Sequence, residues 1–306
     1  MHVVVGAGPV GTAVARLLLD RGEQVKLVTR RGSGPEHPAL TKVAADASDP
    51  AALSAIADGA STLLSCGGPP YPQWIPDWPK LGTSLIAAAE KTGALLVTTG
   101  NLYPYGAPDG PMREQDPDRP NSTKGEVRAK VWAEALAAHR AGRIRTAEVR
   151  GSDYLGAGAV SFFTVGVLPG VLEGRRVAVP ADIDAAHSWT AVDDVARTLI
   201  AVADDENAWG RTWLVPTAPP VSIRDLAADA ARMVGLPAAR VTEMPAAVLW
   251  LGGLFNPQAK EIRELQYQFR EPFVVDSTQA EEAFGLRPTP TEDALQATIE
   301  AARGGN

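Results

Sequence analysis

A β-branched run that turns at once on three glycines and then takes up helical spacing leaves a chain few folds. His2-Val3-Val4-Val5 reads as a short buried parallel strand. Gly6-Ala7-Gly8-Pro9-Val10-Gly11 follows directly, and residues 12–21 carry Val14, Leu17 and Leu18 on a helical stripe. Gly22 ends that helix, and residues 24–29 predict a second strand. In a strand–turn–helix setting the G-x-G-x-x-G pattern has a physical meaning. Gly6 permits the tight turn, Gly8 lets the backbone approach a pyrophosphate, and Gly11 lets helix and strand pack closely. The helix start at Pro9 and Val10 adds the positive end of a helix dipole and N–H groups without partners. The setting favours dinucleotide binding over a ligand-free glycine turn.

The alternation continues, with strands predicted at 43–45, 62–65 and 94–99 and helices at 50–58 and 82–93. Such alternation implies a parallel sheet covered on both faces. Residues 101–122 hold Pro104, Pro108, Pro111, Pro117 and Pro120 and read as a surface loop of the kind that lies over sites. A helix is expected over 124–141, strands over 146–150 and 213–215, and helices over 223–234 and 291–303. Pro216, Pro219 and Pro220 suggest a boundary.

The dinucleotide is indicated at the end of the second strand. An NAD site usually places Asp or Glu there, to accept from the ribose 2′-hydroxyl. This chain has Thr29-Arg30-Arg31, with no carboxylate and two guanidiniums. Arginine suits the 2′-phosphate of NADP, so NADP is expected rather than NAD.

Composition narrows the remaining classes. Twenty-nine Lys and Arg against 36 Asp and Glu give a net charge of −7, which argues against a nucleic-acid partner. The single cysteine, Cys66, can form neither an internal disulfide nor a zinc site, and four scattered histidines add no ligand spacing, so no metal is expected. Cys66 also lacks a neighbouring His or Lys that would mark a nucleophile, and no G-x-S-x-G elbow is present. No stretch approaches the roughly 20 apolar residues of a membrane span, and no leader precedes the first strand, so a cytoplasmic protein without a membrane partner is expected.

Five segments stand in a telling order: GAGPVG at 6–11, ADASD at 45–49, TTGNLYPYG at 98–106, RGSDYLGAG at 150–158 and HSWTAVDDVAR at 187–197. Together they resemble an extended or atypical short-chain dehydrogenase/reductase of the NAD-dependent epimerase/dehydratase type. The last hundred residues match only loosely, through PTPTEDAL at 288–295. The resemblance implies Asp46 beside the adenine, Cys66, Gly67 and Gly68 along the cofactor, and Thr98 and Thr99 near the nicotinamide. It implies that Asp193 or Asp194 caps a helix at the junction of two lobes.

One departure bears on chemistry. The family mechanism uses Tyr-x-x-x-Lys, with a nearby Ser or Thr. Lys124 fits the lysine and would hold the nicotinamide ribose, but Pro120 stands at the tyrosine place. Counted back from Tyr105-Gly106, Asn101 stands at the serine place and would polarise the substrate. Tyr103, Tyr105 or Tyr154 could supply the proton instead, since the resemblance implies that all three fall in segments bordering the nicotinamide. Tyr71 and Trp74 form a candidate aromatic wall for an apolar substrate, and His187 a candidate substrate contact, each with plain packing as the alternative. Trp250, Leu251, Leu254 and Phe255 could line a pocket, a dimer face or the core.

The expected architecture is α/β, a Rossmann-type doubly wound parallel sheet with a smaller C-terminal substrate lobe. Residues 1–155 form the NADP-binding domain, with 187–217 returning to it, and 156–186 and 218–306 form the lobe. The expected activity is NADP-dependent hydride transfer to or from a small organic carbonyl, alcohol or imine. The alternatives are a nucleotide-sugar epimerase or dehydratase with retained NAD, and a non-catalytic NADP-sensing protein. By analogy, the helix from Lys124 leaves a homodimer open.

Overall fold

The computed structural model describes residues 1–244 and 264–304. Its strands are β1 (His2–Val5), β2 (Val25–Thr29), β3 (Leu40–Ala44), β4 (Thr62–Ser65), β5 (Leu95–Asn101), β6 (Thr146–Gly151), β7 (Asp153–Leu155), β8 (Arg176–Val179), β9 (Trp189–Ala191), β10 (Thr212–Leu214) and β11 (Arg240–Glu243). The first eight helices are α1 (Pro9–Asp20), α2 (Pro50–Ile56), α3 (Trp74–Thr92), α4 (Thr123–Arg140), α5 (Phe162–Gly166), α6 (Leu168–Leu172), α7 (Val192–Asp204) and α8 (Ile223–Met233); Thr278–Phe284 and Thr291–Gly304 follow.

Seven strands form one sheet in the order β10-β6-β5-β4-β1-β2-β3, and every pairing in it is parallel. The fold is the Rossmann-type α/β architecture. Both faces are covered, which explains why β1 is apolar at consecutive positions rather than alternate ones. Val4, Leu64, Val97 and Val149 pack under α1 and α7 through Val14, Leu18 and Leu199. Val3, Leu63 and Leu96 pack under α2 and α3 through Leu53, Leu81 and Leu85. A separate core joins α5, α6 and α8 with the helix Thr291–Gly304, through Phe163, Leu168, Leu226 and Leu295. Two small parallel pairs, β11 with β8 and β7 with β9, belong to this second region.

Several elements depart from expectation. α3 starts at Trp74 rather than at residue 82 and carries Pro79 inside it. Its early turns are held by packing, because Trp74 and Trp78 lie one turn apart, both buried and in edge contact at 5.8 Å. β5 continues to Asn101, paired with β6 up to Gly151. The cap anticipated at α7 is absent: its N-cap is Ala191, without a side-chain bond. Asp194 instead accepts from the N–H and hydroxyl of Thr289, each at 2.7 Å, and pairs with Arg197, tying the loosely matching C-terminal segment to the main sheet. Trp250, Leu251, Leu254 and Phe255 lie outside the described residues. No described helix is long and apolar enough to cross a membrane.

Candidate active site

The glycine turn is held by close backbone approach. Gly6 has φ +98, and a Cβ there would lie 2.7 Å from Gly67 Cα. A Cβ on Gly11 would fall 1.9 Å from the Gly6 carbonyl oxygen, so α1 can sit this close to the turn only with glycine. Gly8 differs: a Cβ there meets nothing within 4 Å, and the residue is exposed as the N-cap of α1, with no side-chain cap and Pro9 next. The start of α1 is therefore left without a side-chain cap, as a phosphate site requires. Arg30 and Arg31 follow β2 immediately, both exposed, and neither pairs with any described residue. Asp46, just past β3, is exposed and accepts from the Ser48 N–H at 2.9 Å.

Beside this turn, over the C-terminal ends of β4, β5 and β6, lies a cavity of about 720 Å³. Cys66, Gly67, Gly68, Thr99 and Asn101 line its sheet side. Tyr71, Trp74, Tyr103 and Tyr154 line its walls, and Val160, Phe162, Val165 and Phe269 close it from the second region. Tyr71 stacks on Trp74 with ring centres 4.7 Å apart, and the Tyr71 and Tyr103 hydroxyls share a hydrogen bond of 2.5 Å. Burial pushes the Tyr103 phenol well above its ordinary range, so it holds its proton; burial also raises Tyr154, and it pushes the Cys66 thiol up to about 12.

Apart from the residues of the glycine turn, the arginine pair and Asp46, four expected site residues are not on this cavity. Thr98 points to the other face of β5, alternating with Thr99, and meets Trp78 and Trp132 around a small internal void. Tyr105 is buried beneath the Arg150 guanidinium, 4.7 Å from its ring centre, among Leu102, Met112 and Phe273. Burial lifts its phenol to about 12. The His187 ring stacks on Phe269, and its two nitrogens lie at 3.2 Å from the Gln268 carbonyl and from Asp153. Lys124, in the first turn of α4, is drawn to Glu264: its N–H donates at 2.9 Å and its ammonium at 2.6 Å to that carboxylate. The ammonium lies 5.7 Å from the centre of the Tyr71 ring, and Lys124 is not among the residues that line the cavity.

One turn along α4, Arg128 presents the cation that does line the cavity. It is 3% exposed, with its guanidinium 3.9 Å over the Trp78 ring. Its Nη2 donates to the Thr99 carbonyl at 2.8 Å and to Glu148 at 3.4 Å. Glu148 accepts more closely from Arg150, at 2.7 Å, and Arg150 reaches Asp118 with both terminal nitrogens, at 2.6 and 3.2 Å. This chain of charges crosses β5 at Gly100, where a Cβ would lie 2.8 Å from Arg150 and 2.9 Å from Glu148. Two signals for these residues were present in the sequence. Lys124 and Arg128 have the spacing that places them on one helix face, and Glu148 and Arg150 are charges inside a strand expected to be buried.

A model of the NAD dependent epimerase/dehydratase family matches residues 2–215. A curated relative, the dTDP-6-deoxy-L-talose 4-dehydrogenase (NAD(P)(+)) of Kitasatospora kifunensis, is 31% identical over 189 residues, covering 58% of this chain and 59% of the relative. The match thus spans less than two thirds of that relative's length. Among solved structures, MoeE5 in complex with UDP-glucuronic acid and NAD superposes with a TM-score of 0.82 at 22% identity, over 100% of this chain and 99% of that one. A DesIV double mutant (dTDP-glucose 4,6-dehydratase) from Streptomyces venezuelae, with NAD and DAU bound, gives 0.77 at 18% identity, over 99% and 97%. At these identities the likeness is one of fold.

Proposed function

The chain belongs to the NAD dependent epimerase/dehydratase family, and from that premise we propose that it is an NADP-dependent oxidoreductase moving hydride to or from a small organic carbonyl, alcohol or imine. The carrying observation is the end of β2. Arg30 and Arg31 are exposed, unpaired among the described residues, and stand where an NAD site carries a carboxylate. Guanidinium forks match a 2′-phosphate both by charge and by paired hydrogen bonds. The open N-terminus of α1 at Gly8 fits the pyrophosphate, Asp46 the adenine end, and Cys66 to Gly68 the path toward the cavity. When bound, the nicotinamide supplies or accepts the hydride.

The chain's own residues then do the remaining work. Asn101 and Thr99 share one face of β5 and orient the substrate oxygen. Tyr103, protonated at neutral pH because of its burial, acts as a donor, and its bond to the half-exposed Tyr71 connects it to the cavity mouth. A proton taken up at Tyr71 can pass to Tyr103, which answers the loss of a tyrosine at Pro120. Tyr71, Trp74 and Tyr154 enclose the substrate.

A second reading has a specific observation behind it, because the names of the dTDP-sugar dehydrogenase relative and of the two solved structures refer to nucleotide sugars. It makes this chain a nucleotide-sugar dehydrogenase, epimerase or dehydratase. The apolar wall of Val160, Phe162, Val165 and Phe269 favours the smaller substrate. The cofactor assignment has its own test. Arg30→Ala combined with Arg31→Ala weakens NADPH by about ten- to hundred-fold and leaves NADH nearly unchanged in a fluorescence titration. Equal losses for both cofactors would remove the 2′-phosphate from this position.

A further inference from the structure

We propose that Arg128 and Thr99 form an oxygen subsite at the floor of the cavity, taking a carboxylate or polarised carbonyl oxygen carried on an aryl or alkyl body. The proposal rests on the reading of this cavity as the substrate site and specifies the substrate's chemistry.

The first observation is where unsatisfied polar groups collect. Among the described residues, seven buried side chains have a polar atom without a hydrogen-bond partner, and four of these side chains line this one cavity. They are Trp78 through Nε1, Thr99 through Oγ1, Arg128 through Nε and Ser152 through Oγ. Leaving a buried donor unpaired is costly, more so on a charged group, and such atoms are rare in folded proteins. Trp78 and Arg128 also border the small void beside Thr98, and all four line this cavity, where a ligand would complete the bonding.

The second observation is how firmly Arg128 is held. Trp78 fixes the plane of the guanidinium at 3.9 Å, and the Thr99 carbonyl and Glu148 take Nη2. The Nε edge is left over. Glu148 lies nearer to Arg150 than to Arg128, 2.7 against 3.4 Å, so Arg150 is its closer partner. The Thr99 backbone carbonyl accepts from Arg128 Nη2, and both residues line the cavity. The opposite wall is apolar: Tyr71, Trp74, Phe162, Val165 and Phe269. A ligand that matches both halves has one electron-rich oxygen terminus and a hydrophobic body, an arrangement in which an ion pair shielded from water is strong.

Cofactor-free protein titrated with benzoate, and separately with benzyl alcohol as its neutral counterpart, reads the subsite by calorimetry. Benzoate should bind at least about ten-fold more tightly than benzyl alcohol. Arg128→Met should abolish that preference, Thr99→Val should weaken benzoate alone, and Arg30→Ala with Arg31→Ala should leave the preference intact. Glu148 keeps Arg150 in the Arg128→Met variant, so folding survives; Arg128→Lys, which retains charge but has no Nε edge, should recover only part of the preference. Equal binding of the two probes to the wild-type protein, or a preference that survives Arg128→Met, would overturn the subsite. If NADPH and NADH both fail to bind while the benzoate preference holds, the oxidoreductase reading falls and the subsite stands.

Discussion

Replacing Arg150 by methionine is expected to lower the unfolding free energy by about 3 to 5 kcal/mol. Arg150 is 1% exposed and is the hub of the buried charges: it binds Glu148 at 2.7 Å and Asp118 with both terminal nitrogens. Methionine fills much of the volume but leaves Glu148, 2% exposed, with only the longer contact to Arg128 at 3.4 Å. A buried carboxylate stripped of its close partner costs far more than a surface pair returns. Asp118, whose side chain is 28% exposed, is the control, and Asp118→Asn should cost on the order of 1 kcal/mol because water replaces part of what is lost. Urea unfolding followed by circular dichroism measures both. A loss below about 1 kcal/mol for Arg150→Met would mean that the network does not hold the ends of β5 and β6.

The glycine turn yields a pair of outcomes that separates folding from binding. Gly11→Ala should damage both. Its Cβ would lie 1.9 Å from the Gly6 oxygen and 3.3 Å from Cys66 Cβ, so α1 must move off the turn, at a cost of about 1 to 3 kcal/mol or more. Gly8→Ala should damage binding alone. The backbone there, φ −72 and ψ −176, is open to any residue, and the new methyl meets nothing within 4 Å. It does, however, stand over the N–H groups expected to hold the pyrophosphate. Loss of one or two such charge-assisted bonds weakens the nucleotide on the order of 100-fold at unchanged thermal stability. A Gly8→Ala protein that binds nucleotide like the wild type would show that the phosphates do not pass this residue.

The parts of the fold that could be read directly are those where local chemistry and tertiary demand coincide. β1, the glycine turn and α1 are one such unit, because the strand is buried on both faces and the turn admits only glycine at Gly6 and Gly11. The start of α3 was hidden because Pro72, Pro76 and Pro79 speak against a helix locally, whereas the burial of Trp74 and Trp78 carries it in the folded protein. At the site, the family resemblance implied Lys124 as the cofactor's lysine. The decisive contact is with Glu264, 140 positions away, which no local pattern reveals. Lys124 is held by that contact, and Arg128, one turn along α4, lines the cavity. The two tyrosines separate for a related reason: the 3-10 turn at Tyr103–Tyr105 points them in different directions, one to the cavity and one beneath Arg150.

The central claim is that this cleft takes a phosphorylated nicotinamide dinucleotide. Titration of the purified wild-type protein with NADPH and with NADH, followed through nicotinamide fluorescence, tests it most directly. The account predicts NADPH binding at least about ten-fold tighter than NADH, with the difference shrinking as salt screens Arg30 and Arg31. NADH binding as tightly as NADPH, or NAD that copurifies and does not leave, would contradict it.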